Sequence, residues 1–184
     1  MVARFDPQKD HRNLVQAAGL LKERGVDCCF VLCGNGADAK NAQLIGWIRD
    51  ASVEDRFFLL GPRDDIPTIT AGLDIACLSS AHGEGFPNVL GEAMACEVPC
   101  VATDVGDSAD IVGDTGRIVP PRNPEALAGA IGELIEMGHE GRKQLGRAAR
   151  ERIKEKFELG RVVKRYERLY EGLGDFGIEG LRNF

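Results

Sequence analysis

The apolar run Asp74-Ile75-Ala76-Cys77-Leu78 leads into Ser79-Ser80-Ala81-His82-Gly83-Glu84-Gly85-Phe86-Pro87-Asn88, which is small and polar. Val89-Leu90-Gly91-Glu92-Ala93-Met94-Ala95 follows, with Val89, Leu90, Ala93 and Met94 at helical spacing. A short strand, a loop of turn residues and a helix in that order make half of a βαβ unit. The same alternation recurs along the chain. Strands are expected at Val2–Phe5, Cys28–Cys33, Arg56–Leu60, Asp74–Leu78, Pro99–Ala102 and Gly116–Val119. Helical stripes lie between them at Leu14, Ala17, Ala18 and Leu21, at Leu44, Ile45 and Ile48, and over Ile66, Ile69 and Thr70. Several of the strand runs are apolar throughout rather than alternating, which suits strands covered on both faces. The expected fold class is therefore α/β, a doubly wound parallel sheet of about six strands with helices on both faces.

After Pro120-Pro121-Arg122-Asn123-Pro124 the strand pattern stops, and helices are expected at Glu125–Met137, Arg142–Phe157 and Arg161–Leu173, with a loose tail at Gly174–Phe184. The last helix carries Val162, Val163, Tyr166, Leu169 and Tyr170 on one stripe and must pack on something. With 184 residues, 43% of them hydrophobic, the chain is long enough for one domain with a real core. Its 23 basic residues against 29 acidic ones, with no basic block, argue against non-specific nucleic-acid binding. No apolar run approaches a membrane span and the amino terminus has no apolar signal core, so a cytosolic chain is expected. The six cysteines, at 28, 29, 33, 77, 96 and 100, sit in apolar runs without a CxxC pair and read as buried, reduced thiols.

In an open α/β sheet ligands bind outside the carboxyl ends of the strands, so the residues that follow each apolar run matter most. They are Arg4 and Lys9, then Gly34-Asn35-Gly36, then Gly61-Pro62-Arg63-Asp64, then Ser79 through Glu84, then Thr103-Asp104-Val105-Gly106. Asn88 reads as a cap for the helix after the fourth run, whose free N–H groups would attract an anion such as phosphate. Gly83 and Gly85 permit close backbone approach. Glu84 precedes that helix and Glu92 lies just over a turn inside it, so both carboxylates can accept from hydroxyls of one ligand, although Glu92 could instead cap or salt-bridge locally. Arg4 and Lys9 are the natural counter-charges for phosphate. Gly34-Asn35-Gly36-Ala37-Asp38-Ala39 fits G-x-G-x-x-A, yet the next strand ends in Leu60-Gly61-Pro62-Arg63 rather than the acidic residue a nicotinamide site wants, so a plain tight turn reads equally well. His82 is the histidine of the dense loop, and with no G-x-S-x-G motif it belongs to no triad.

Four stretches carry a resemblance: Val2–Lys9 (VARFDPQK), Leu59–Pro67 (LLGPRDDIP), Glu84–Ala95 (EGFPNVLGEAMA) and Val98–Gly106 (VPCVATDVG). Together with Pro124-Glu125-Ala126-Leu127 they resemble, in order and approximate spacing, the donor half of the retaining glycosyltransferases of group 1, family 4, closest to the branch of bacterial polysaccharide assembly. The resemblance implies a two-domain GT-B architecture with a Rossmann-like donor domain, here residues 1–157, followed by a crossover helix at 158–173 and a tail at 174–184. Its amino-terminal acceptor domain is not in the sequence, so a fragment, an excised domain or a truncated gene is expected, one that binds a nucleotide-sugar without turnover. By the same resemblance Arg4 and Lys9 bind the donor diphosphate and stabilise the leaving nucleotide without a required metal or other cofactor. Glu84 holds the donor sugar, and Gly85, Phe86, Pro87 and Asn88 line its site. The amides of Val89 and Leu90 meet phosphate or ribose, Glu92 accepts from ribose, and the Pro62-Arg63 turn faces the base. His82 and Gly34 complete the donor-binding set. The donor is a UDP, GDP or ADP sugar, and the acceptor a glycan or lipid-linked glycan reached through the missing domain. The parent protein is expected in the cytoplasm, with peripheral contact at the inner face of the membrane.

Ala3 and Glu97 stand where the family commonly has glycine, the second at a helix end that favours it. Two readings from other classes compete. Glu84 and Glu92 could be the carboxylate pair of a glycoside hydrolase, but Trp47, Tyr166 and Tyr170 lie far in sequence from the loop and offer it no sugar platform. A non-catalytic nucleotide-binding module would need no Glu84.

Overall fold

The computed structural model describes residues 1–175. β1 (Phe30–Cys33) pairs in parallel with β2 (Phe57–Gly61), while β3 (Ala76–Leu78), β4 (Cys100–Thr103) and β5 (Arg117–Val119) form a second parallel group in that order. Residues 1–10 join the two. Cys33 N–H donates to Met1 O at 3.1 Å and Ala3 N–H to Cys33 O at 2.8 Å, on the side of β1 away from β2. Ser79, just past β3, donates to the carbonyls of Lys9 and Asp10 at 2.9 and 3.0 Å. The fold class is the expected α/β one, with shorter strands. In particular Val2–Phe5 is no strand but a single bridge, Val2 to Cys33. Its chain leaves the ladder because Phe5 N–H turns to Asn35 O in the loop after β1 and Asp6 at once starts a 3-10 turn over Pro7–Lys9.

The helices are α1 (His11–Glu23), α2 (Ala42–Asp50), α3 (Ile66–Ala71), α4 (Asn88–Ala95), α5 (Ser108–Val112), α6 (Pro124–Glu136), α7 (Gly138–Lys156) and α8 (Leu159–Asp175). Side-chain caps start four of them: Asp10 accepts from Asn13 N–H, Asn41 from Leu44 N–H, Asn123 from Ala126 N–H and Glu158 from Arg161 N–H. The five-residue α5 is too short to show a period in sequence, but it buries Ile111 and Val112. α7 starts four residues earlier than expected because Gly138, at φ +74°, breaks the α6 path and lets α7 begin at once. α1 packs on α6 and α2, and α4 on α7 and α3. Between these pairs Leu14, Leu21, Leu32, Leu78, Leu90, Met94, Ile111, Leu127 and Leu134 are fully buried, each contributing roughly 1.5–3 kcal/mol by removal from water.

α8 is amphipathic, but its sizeable contact among the described elements is with α7 alone. Leu159, Val163, Tyr166, Leu169 and Tyr170 remain exposed. From residue 176 the expected tail lies outside the described residues. All six cysteines are free thiols. Cys33 and Cys100 are buried and Cys28, Cys77 and Cys96 half-buried, but Cys29 is exposed, contrary to expectation, because it lies before β1 begins. Burial pushes the Cys77 thiol up to about 11 and Cys100 higher still.

Candidate functional site

At the carboxyl edge, between the β1–β2 pair and the β3–β4–β5 group, two loops are drawn together. The 3-10 turn is set by Asp6, whose Oδ1 accepts from Gln8 N–H at 2.9 Å; that bond holds the Asp6 carboxyl below its ordinary pKa. Gln8 then ties the turn to the loop before α4: its Nε2 donates to Gly83 O at 2.7 Å, and its carbonyl accepts from Ala81 N–H at 2.8 Å. One residue on, Lys9 Nζ donates to Glu84 Oε1 at 2.5 Å, and Ser80 Oγ donates to the same oxygen at 2.5 Å. The Lys9 and Glu84 side chains are only 14% and 7% exposed, so this is a largely desolvated ion pair between residues 75 apart in sequence. Arg4 is exposed and leans over the turn, donating to Gln8 Oε1 at 3.2 Å and Asp6 Oδ2 at 3.4 Å.

The Glu84 loop rests on the end of β4. Thr103 Oγ1 donates to Ser80 O at 2.7 Å, and Asp107 N–H to Gly85 O at 3.1 Å. Gly106, at φ +57°, makes this possible, since a Cβ there would stand 2.1 Å from Glu84 O. α4 begins immediately afterwards. Asn88 is its first residue and not its cap: Pro87 holds the cap position and no side chain serves there, which corrects the expectation for Asn88. The N–H groups of Asn88 and Val89 have no protein acceptor among the described residues. They are the unsatisfied donors of a helix start, with the positive dipole end behind them. Two cavities, of about 560 and 620 Å³, lie elsewhere, the first at the opposite sheet edge around Cys28, Leu73 and Arg142, the second between α1 and α2. Among the described residues no group of three or more His, Cys, Asp or Glu side chains is placed to hold a metal.

Residues 1–152 match the family described as glycosyl transferases, group 1. The chain belongs to that family. It is similar to N-acetyl-alpha-D-glucosaminyl L-malate synthase of Bacillus anthracis, 31% identical over 172 residues that cover 92% of this chain and 44% of that protein. Among solved structures it is similar to a glycosyltransferase of Rickettsia africae (TM-score 0.83, 25% identity, 94% of this chain and 46% of that one). A second is Anabaena HepE in complex with UDP and glucose (TM-score 0.77, 26% identity, 95% and 47%). This chain spans less than half the length of these relatives.

Of the residues singled out from the sequence of this group 1 glycosyl transferase chain, the structure joins Arg4, Lys9, Glu84, Gly85 and the start of α4 at Asn88, Val89 and Leu90. Glu92 is exposed and makes neither a hydrogen bond nor an ion pair among the described residues, so the local cap or salt bridge weighed for it is not formed. His82 is exposed on the same loop. Phe86 has a packing partner of its own, the edge of Phe157 at 5.3 Å. Arg63 stands apart at the end of β2, clamped by both nitrogens onto Asp65 at 2.8 and 2.7 Å; the guanidinium holds the Asp65 carboxyl below its ordinary value. Gly34 answers to packing, since a Cβ on it would meet Ala3 O at 2.2 Å. Sequence reasoning missed Gln8, Ser80 and Thr103 as the holders of the site. Their types are common in loops, and only their position after apolar runs marked them out.

Proposed function

We propose that this chain is the nucleotide-sugar-binding half of a retaining glycosyltransferase and that its donor is a UDP-sugar. The observation that carries the reading is the contact of Lys9 with Glu84 beside the start of α4. In a nucleotide-sugar the phosphate and the sugar are bonded neighbours, so a cation and a carboxylate that touch suit the two sides of that bond. Lys9, which has two N–H donors beyond the one given to Glu84, and Arg4 take the diphosphate together with the Asn88 and Val89 N–H groups. Glu84 accepts from sugar hydroxyls, Gly85, Phe86, Pro87 and Asn88 line that side, and Glu92 serves the ribose, while the Leu90 N–H expected to do so is already given to Pro87 O at 3.0 Å. Arg63, His82 and Gly34 border the base and loop. As the sugar–phosphate bond breaks, negative charge grows on the leaving diphosphate, and fixed donors aimed at it lower the barrier. UDP is favoured because HepE is described with UDP and with UDP-glucose.

The acceptor, a glycan or lipid-linked glycan, would be held by a second domain that faces this site. The full enzyme would work in the cytoplasm, peripherally at the membrane in polysaccharide assembly. Among the described residues no helix is long and apolar enough to cross a membrane. Calorimetric titration with UDP, GDP and ADP, then UDP-glucose, tests the reading. UDP alone of the three is expected to bind, Glu92→Ala to weaken UDP roughly tenfold, the value of one hydrogen bond to a charged group, and Glu84→Ala to weaken only the increment due to the sugar. If Glu84→Ala leaves UDP and UDP-glucose affinities both unchanged, the chain is a nucleotide-binding module of another kind.

A further inference from the structure

Glu84 lies in a loop, so its carboxylate is held by side chains rather than by a helix or ladder. Two donors converge on Oε1, Lys9 Nζ and Ser80 Oγ, while none among the described residues reaches Oε2. The two donors differ in kind. Lys9 sits on a flexible stem and carries a charge that a diphosphate competes for. Ser80 is fully buried and neutral, and its own carbonyl is pinned by Thr103 Oγ1 from the end of β4. A ligand that draws Lys9 away leaves the Ser80 bond in place. A carboxylate anchored at one oxygen presents the other in a fixed direction, which is what recognition of a hydroxyl requires.

We propose that Ser80 is a positioning residue for donor-sugar recognition: its hydroxyl anchors Oε1 of Glu84, so that Oε2 faces a sugar hydroxyl while Lys9 turns to the diphosphate. Ser80 itself touches no ligand. The inference rests on the donor-site reading above, and two measurements separate the failure of one from the failure of the other. Without ligand, urea unfolding is measured for Ser80→Ala, Glu84→Ala and the double variant. Ser80→Ala is expected to raise the unfolding constant roughly tenfold against native Glu84, as for loss of a hydrogen bond to a charged group, and less than about twofold in the Glu84→Ala background. Equal losses in both backgrounds overturn the anchoring contact. With ligand, Ser80→Ala is expected to weaken UDP-glucose about tenfold and to leave UDP within about twofold. Equal weakening of UDP and UDP-glucose means a merely structural serine and overturns the proposal. Failure of the unsubstituted chain to bind UDP overturns the donor-site reading and the sugar-binding role with it, while the urea cycle still decides whether Ser80 anchors Glu84.

Discussion

His11 is the first residue of α1 and only 2% exposed, beneath the Phe5 ring at 5.2 Å, and neither of its ring nitrogens has a hydrogen-bond partner. Burial, helped by the positive charges of the amino terminus and Lys9, lowers its pKa to about 4. The unfolded chain titrates near the ordinary value of about 6.5. Between those limits the unfolded state binds the extra proton, so stability is complete above about pH 6.5 and falls as the pH drops towards 4, by up to about 3 kcal/mol. Urea unfolding at pH 7.5 and 4.5 checks this: His11→Leu should lose clearly less stability over that interval than the unsubstituted chain. An identical loss in both would assign the acid sensitivity to other groups. The same neighbourhood shows what sequence could reach at this scale. The residue types after the strands pointed to Lys9 and Glu84 separately, but a contact across 75 positions has no local signature. Nor could the buried, unpartnered state of His11 be read from a helix start.

Glu97 follows the last turn of α4 in the left-handed region, at φ +61°. Val98 N–H donates to Ala93 O and Glu97 N–H to Met94 O, both at 3.0 Å, the Schellman pattern in which glycine is preferred at this position. A side chain there costs roughly 1–2 kcal/mol. What Glu97 gains in return is an exposed pairing with Arg150 at 3.8 Å, worth little in solvent. Glu97→Gly is therefore expected to stabilise the chain by about 1 kcal/mol and raise Tm by roughly 2–4 °C; a lower Tm in a thermal melt would show that strain is not the governing cost. The glycine preference at this helix end came with the family resemblance, whose members commonly carry glycine there, and not from spacing along this chain. The five-residue α5 was not legible in the sequence, since one turn is too short to show a period.

At the scale of the whole molecule, α8 stands apart from the core. Its apolar side, with Leu159, Val163, Tyr166, Leu169 and Tyr170, is exposed, while the core is complete without it. Ending the chain at Phe157 should change the urea midpoint by no more than a surface substitution does, within about 0.5 kcal/mol, and reduce self-association in sedimentation. A larger loss of stability would mean that α8 is docked on the domain in solution.

The sequence by itself determined the α/β class, the approximate place of every strand from Cys28 onward and the edge to which the glycine-rich and charged loops run. Those features follow from the period of apolar residues and from the types that terminate each run, both of which are local. It also carried the family resemblance, because the motifs are contiguous. Tertiary structure alone decided that Val2–Phe5 makes a single bridge to β1 instead of forming a strand, since that depends on where Phe5 N–H finds its acceptor in a distant loop. It alone set Lys9 beside Ser80 on one oxygen of Glu84, because convergence of two segments 75 residues apart is a product of the sheet's crossovers and has no trace in spacing along the chain.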